Sequence, residues 1–428
     1  MTVEFEKNMP KPFTDKIIFI LLILFIIFLP VCELINYRSD DLFAWFLLGI
    51  ILFLSLSKQK FNISKYFFSK NTLFFWAYLL LASLNVWFAQ DKNIAFSYYK
   101  FLGLTSILIF FTFRNEINRD NIEKIFYVHC VCAAIVSVIG FIEMFLGSSF
   151  IYENYFNNYY YTRYLYQHRM MSTLVHPIIL GQYLVTALPL AYYFYKSAAS
   201  WKMKSLNFIV LFVITLALIC TFSRGAWLAF ICVFSVWFLI EKKFWKIAVM
   251  WSALLFFIFF VASSFVAEDI MMRFSRYRLF SSFNYWQRIV SYSVAFAMLK
   301  AHPLIGIGFG NFRMLFDKFS GLGIDYEFKI PESIYLMHLA EAGILGFMGF
   351  FLFLGNIIRQ SIRRYKELCE KEKKLFLAFL MSFTAILINM AFYDGFMWRS
   401  SFYLFWVFVA VASGMAETSK PASLKNQS

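Results

Sequence analysis

The chain has 428 residues, of which 61% are hydrophobic and 15% charged, and a formal net charge of +15. A soluble domain is nearer half apolar and a quarter charged, so with a mean hydropathy of +0.65 the composition excludes an ordinary soluble protein. In a soluble chain this positive charge would point to nucleic acid; here it falls between apolar runs, which reads as membrane orientation with no nucleic-acid partner.

A helix that crosses a bilayer needs about 20 apolar residues. Twelve runs reach or approach that length: 16–36, 42–57, 72–89, 95–113, 123–147, 174–195, 205–222, 225–241, 244–266, 334–358, 374–393 and 400–416. No small-residue cleavage site follows the first run, so it is expected to stay as a helix. The expected fold is an all-α polytopic membrane protein of about 12 transmembrane helices. It forms a single integral domain over 1–428, with one large extracytoplasmic loop at 267–334 that carries interfacial helices. A polar tail at 417–428 is expected to be disordered.

Orientation follows from the basic residues, which concentrate in cytoplasmic loops. With the N-terminus inside, the inside loops hold Lys58, Lys60, Lys65 and Lys70, then Arg114 and Arg119, then Lys196, Lys202 and Lys204, then Lys242 and Lys243, and finally RQSIRRYKELCEKEK at 359–373. The short outside loops hold Arg38, Lys92, Arg224 and Arg399. Both termini are then cytoplasmic. The six cysteines have no zinc or disulfide spacing and read as free thiols.

Two outside segments carry more. The stretch 148–173 is dense in Tyr and holds Arg163, His168 and Arg169. The loop 267–334 holds Arg273, Arg276, Arg278, Arg288, Lys300, Arg313, Lys318 and Lys329. Within it, 284–300 has helical spacing. Trp286, Ile289, Val290, Phe296 and Leu299 make one apolar face, and Arg288 and Tyr292 stand one turn apart on another. His302-Pro303-Leu304 ends that helix, and Gly306, Gly308 and Gly310 read as a flexible turn. GIGFGN lacks the strand-to-helix context of a dinucleotide site, but a backbone anion nest stays open there.

Several residues can carry chemistry. Arg224 lies in TFSRGAW, a connection tight enough to hold a guanidinium at membrane depth. Arg169, Arg273, Arg276, Arg278 and Arg288 share the outer face with it. Each alone suits a lipid headgroup; together they suit a diphosphate, which guanidinium binds bidentately. Glu332 stands at the outer mouth of the tenth run, where a carboxylate can accept a hydroxyl proton. Glu341 and His338 lie deeper and read as structural partners. No residues have metal-ligand spacing. Asp40 and Asp41 in the first outer loop offer acids for a different kind of lipid-linked glycosyltransferase, without an accompanying His.

The ordered set HRMMSTLVHPIILGQYLVTALPL, TFSRGAWLA, WQRIV with AHPLIGIGFGNF, and SIYLMHLAEAGILG resembles the O-antigen ligase and polymerase superfamily of bacterial envelope enzymes. That resemblance implies transfer of a glycan from an undecaprenyl diphosphate carrier to a lipid or glycan acceptor, on the outer side of the cytoplasmic (inner) membrane. It implies polysaccharide or lipopolysaccharide assembly with no cofactor and no required metal. Arg224 and Arg288 match the arginines that hold the leaving group, and Tyr335, Leu336, Glu341, Gly343 and Gly346 match the helix after the catalytic position. Ligases commonly carry a His-Asn pair where this chain has Glu332 and Ser333, so Glu332 is the candidate base. The catalytic expectation is Glu332, Arg224 and Arg288; the substrate-binding expectation is Arg169, Arg273, Arg276, Arg278, Tyr335 and Glu341. A repeat-unit polymerase, working with a chain-length regulator, is the alternative within the superfamily. A lipid-linked glycan flippase is the alternative outside it, although the two halves show no clear repeat.

Overall fold

The computed structural model describes residues 13–34, 39–58, 62–68, 72–117, 119–147, 169–246, 249–252, 283–321 and 329–417. Its helices, in chain order, are α1 Phe13–Phe28, α2 Ser39–Lys58, α3 Ile63–Phe67, α4 Leu73–Phe88, α5 Lys92–Glu116, α6 Arg119–Leu146, α7 Pro177–Ser197, α8 Trp201–Cys220, α9 Arg224–Ile240, α10 Phe283–Ala301, α11 Phe312–Ser320, α12 Ile334–Glu367, α13 Glu370–Asn389 and α14 Arg399–Glu417. Among the described residues there is no strand, and seven helices (α2, α5, α6, α7, α8, α12 and α14) are long and apolar enough to cross a membrane. The shorter α4 and α9 are apolar as well. The protein is therefore an all-α membrane protein. The expected runs coincide with helices except 244–266, most of which lies outside the described residues, as do the tail from 418 and the stretch 148–168.

Burial divides the bundle into layers. In α7, 89% of the apolar window is buried, and in α14 83%, so these two form the centre. In α8 and α2 the shares are 22% and 28%, leaving wide outward faces for lipid. A helix apolar all round belongs in the interior. Local signals start the helices where they begin: Asp91 accepts from the Ile94 amide at 3.0 Å ahead of α5, and His176 caps α7 with Pro177 in its first turn.

Polar groups gather at the two ends of the bundle. At one end Lys58 bridges Asp15 at 2.8 Å and Glu116 at 3.3 Å, and Arg114 pairs with Glu417. This joins the start of α1 to the ends of α2, α5 and α14. At the other end Arg399 grips Asp41 through two hydrogen bonds of 2.6 and 2.9 Å, and Tyr403 donates to the same carboxylate at 2.8 Å. Glu33 accepts from both the amide and the hydroxyl of Ser400 at 2.8 Å. Asp41 is thus a clasp between α2 and α14, which removes it as a free acid for a donor substrate; the side chain of Asp40 lies outside the described residues.

The loop after α10 corrects the reading of its glycines. Helix α12 breaks at Gly343, whose φ is 63° and ψ −171°. The break frees backbone groups that an apolar interior cannot leave unpaired. The carbonyls of Ala340 and Glu341 accept from the amides of Ile307 and Gly308 at 3.2 and 3.0 Å, and the amides of Ile344 and Leu345 donate to Pro303 and Leu304 at 2.9 and 3.0 Å. Asn85 of α4 seals the joint. Its Nδ2 donates to the carbonyls of Ile305 and Glu341 at 2.6 and 2.7 Å, and its Oδ1 accepts from Phe309 at 2.9 Å. The segment is a fitted plug, and the expected flexible turn is not what forms. The amides that an anion nest would need are spent on these bonds.

Helix α10 packs a second stripe against the protein. Its buried stripe is Gln287, Ser291, Val294, Ala295 and Met298, packed with Ile307, Phe312, Phe316 and Ala340, while Trp286 and Phe296 are 57% and 55% exposed. The helical period is as expected. Its partner is α12 and the plug, and that partner chooses the face.

Candidate functional site

At the clasped end of the bundle, residues 221–223 turn the chain from α8 into α9. Met170 donates to the carbonyl of Cys220 at 2.9 Å, and the Nε of Arg169 donates to the carbonyl of Thr221 at 3.0 Å, fixing the turn from outside. Arg224 is the first residue of α9 and is exposed at the helix end. A helix N-terminus has amides without helical acceptors and the positive end of the helix dipole, so this arginine reinforces a position already favourable to an anion.

Arg288 of α10 and Glu332, two residues ahead of α12, form an ion pair, with side chains 33% and 28% exposed. Arg224 lies within electrostatic reach of both. Tyr292, one turn after Arg288, lies within reach of the same two groups, and burial raises its phenol above the ordinary value. Glu332 is held there by its neighbours: the Ile334 amide donates to the carbonyl of Met390 at 3.1 Å, tying the start of α12 to the end of α13. Residues scattered over 224–332 thereby meet in one cluster with cations, a carboxylate and a phenol.

The other expected site residues go elsewhere. Arg169 faces the 221–223 turn and also influences His176, whose pKa burial and this cation push well below the usual value. The His176 ring stacks on Tyr393 at 5.1 Å between centroids. Tyr335 donates to the carbonyl of Leu387 at 2.7 Å, which fastens α12 to α13. Glu341 is 3% exposed and accepts from the Phe312 amide at 3.2 Å, capping α11. These contacts tie Tyr335 to α13 and Glu341 to α11. His338 is buried with the Tyr78 hydroxyl 3.1 Å from its Nε2. Arg273, Arg276 and Arg278 lie outside the described residues. Among the described residues no group of three or more His, Cys, Asp or Glu is placed to hold a metal.

Two buried residues at this end escape sequence reading, because neither sits in a motif. Asn389 closes α13 with no exposed surface, and Asp394 lies 2% exposed between α13 and α14. Burial pushes the Asp394 carboxyl up to about 7. A carboxyl raised in the folded state favours folding while protonated, so its contribution is full below about pH 4 and falls away as pH rises towards 7. Asp394→Asn should therefore match the wild type near pH 4 and exceed it at pH 8, by up to about 4 kcal/mol. Unfolding midpoints in detergent across that range test this, and a pH slope that persists in the variant contradicts it.

The comparisons agree with this geometry. No curated protein matches the chain. Residues 209–351, about a third of the chain, match the family model described as O-Antigen ligase. The matched segment holds Arg224, Arg288, Glu332 and the break in α12, so the chain's similarity to the O-antigen ligase family covers this cluster.

Proposed function

We propose that the protein transfers a glycan from an undecaprenyl diphosphate carrier to an acceptor hydroxyl on the outer side of the bacterial cytoplasmic membrane. The observation that carries this reading is the meeting of Arg224, Arg288 and Glu332 at one end of the bundle. That end lies opposite Lys58 and Arg114, which under the positive-inside rule supports reading it as the outer end, with both termini cytoplasmic.

Two guanidinium groups beside a helix N-terminus suit a diphosphate, which offers several acceptor oxygens to fixed donors. In the free protein Arg288 is engaged with Glu332. A diphosphate competes for that guanidinium and frees the carboxylate. Glu332 then takes the proton of the acceptor hydroxyl as its oxygen attacks the anomeric carbon. The bond from that carbon to the diphosphate oxygen breaks, its electron pair leaves with the diphosphate, and the configuration inverts. The arginines stabilise the charge that grows on the leaving group. The carrier's tail lies among the membrane lipids between helices, Arg169, Arg273, Arg276 and Arg278 are further arginines this reading assigns to substrate binding, and no nucleotide sugar or metal takes part.

A second reading in the same superfamily is a repeat-unit polymerase, whose acceptor is another carrier-linked glycan and whose partner is a chain-length regulator. The Glu332-Ser333 pair, where ligases carry His-Asn, favours it over transfer to a lipopolysaccharide core.

The test uses the purified protein in detergent with an undecaprenyl diphosphate-linked glycan and no nucleotide. The wild type should release undecaprenyl diphosphate and a glycan product, and Glu332→Gln should lower kcat by about 10²–10⁴-fold. Equal turnover in the variant would move the base to another residue. No release by the wild type, with passage of the lipid-linked glycan across vesicles instead, would favour a flippase.

A further inference from the structure

Several buried side-chain amides among the described residues use both their polar ends or donate to a backbone carbonyl, but one next to the site makes no hydrogen bond at all. Asn85 uses both ends of its amide in the plug, Asn207 donates to the carbonyl of Phe194 at 2.9 Å, and Asn311 donates to Asp91 and Phe309 at 3.2 and 3.1 Å while accepting from the Asp91 amide. Asn389 is fully buried, yet neither its Nδ2 nor its Oδ1 has a partner among the described residues. Leaving both ends of a buried amide unmade destabilises a fold. An aliphatic side chain of the same shape would fill the space at no such cost.

The position of Asn389 says what it is for. It adjoins Met390, whose carbonyl anchors the start of α12 two residues after Glu332. On its other side stands Gly225, next to Arg224; a Cβ placed on Gly225 would lie 3.6 Å from the Asn389 Nδ2 and 2.9 Å from the Phe392 Cβ. Gly225 is half-exposed. With no side chain there, the amide and the Phe392 ring are the neighbours of this first turn of α9. Phe392, the other neighbour of that position, is 39% exposed. The unpartnered amide thus lies between the arginine end and the carboxylate end of the candidate site.

We propose that Asn389 is a substrate-binding residue that reads the sugar attached to the diphosphate, through a hydroxyl or acylamino group near the anomeric carbon. This rests on the carrier-linked glycan reading above. The chemistry selects the sugar over the diphosphate. A carboxamide presents a donor and an acceptor together, which matches a group that both donates and accepts. A diphosphate only accepts, and the two arginines already supply donors for it.

The experiment measures binding of two lipids to the full-length protein in detergent, undecaprenyl diphosphate-linked glycan and bare undecaprenyl diphosphate, together with the unfolding midpoint. Asn389→Leu keeps the branched outline, in a larger volume, and removes both polar ends. It should bind the glycan-linked lipid at least about tenfold more weakly, the loss of one to two hydrogen bonds, and bind the bare lipid as the wild type does. Its unfolding midpoint should be unchanged or higher. Asn389→Ala, which leaves room at the site, should repeat the binding pattern and serves if the leucine variant does not fold. A variant that binds both lipids like the wild type overturns the proposal alone. Equal weakening on both lipids with a lower midpoint overturns it too, making Asn389 a structural residue. A wild type that binds neither lipid overturns the donor reading and this proposal with it.

Discussion

Arg288→Ala and Arg224→Ala should each lower kcat for glycan transfer by about 10²–10³-fold, the usual loss when a fixed donor to a developing negative charge is removed. The double variant should fall little further than the worse single one, because both arginines act on one leaving group. Neither change should unfold the protein. Arg224 is exposed, and Arg288 is one-third exposed in its pair with Glu332. Lysine at either position should recover only part of the activity, since an ammonium group cannot present two parallel donors to a phosphate. Release of undecaprenyl diphosphate, measured beside the unfolding midpoint, separates the outcomes. Wild-type turnover in either alanine variant would end the assignment of that arginine to the diphosphate.

Gly306→Ala should be the most damaging single-methyl change in the plug. A Cβ there would lie 2.2 Å from the carbonyl oxygen of Glu341, an atom held in place by the Gly308 amide and Asn85. The backbone at Gly306 also has a φ of +78°, where side chains are strained. Overpacking and strain together should cost roughly 3 kcal/mol or more. The damage should spread, because moving Glu341 uncaps α11 and opens the break in α12. Gly355→Ala is the control: nothing lies within 4 Å of its Cβ position, and it sits inside a helix, where Ala is favoured. A Gly306→Ala protein that unfolds at the wild-type midpoint would mean that the plug yields easily.

The candidate site was legible in part. Arg224 stood out because a tight turn between two apolar runs is an unusual place for a guanidinium. Arg288 stood out through its spacing from Tyr292, and Glu332 through its place at the head of an apolar run. Their convergence was not legible, since it depends on α10 packing its 287–298 stripe against α12. The same packing turned Trp286 outward. Asn389 and Asp394 left no signal at all. A polar residue at the end of an apolar run looks like a loop residue until its neighbours close over it.

What the sequence by itself determined is the membrane class and the apolar helices. Those follow from transfer free energies summed along local runs. What only the tertiary structure decided is which polar groups find partners: Asp41 with Arg399, Glu341 with the head of α11, Asn85 with the plug, and Arg288 with Glu332. In an apolar interior an unpaired polar group is costly, so partners are chosen by proximity across the bundle, and hydropathy along the chain does not carry that information.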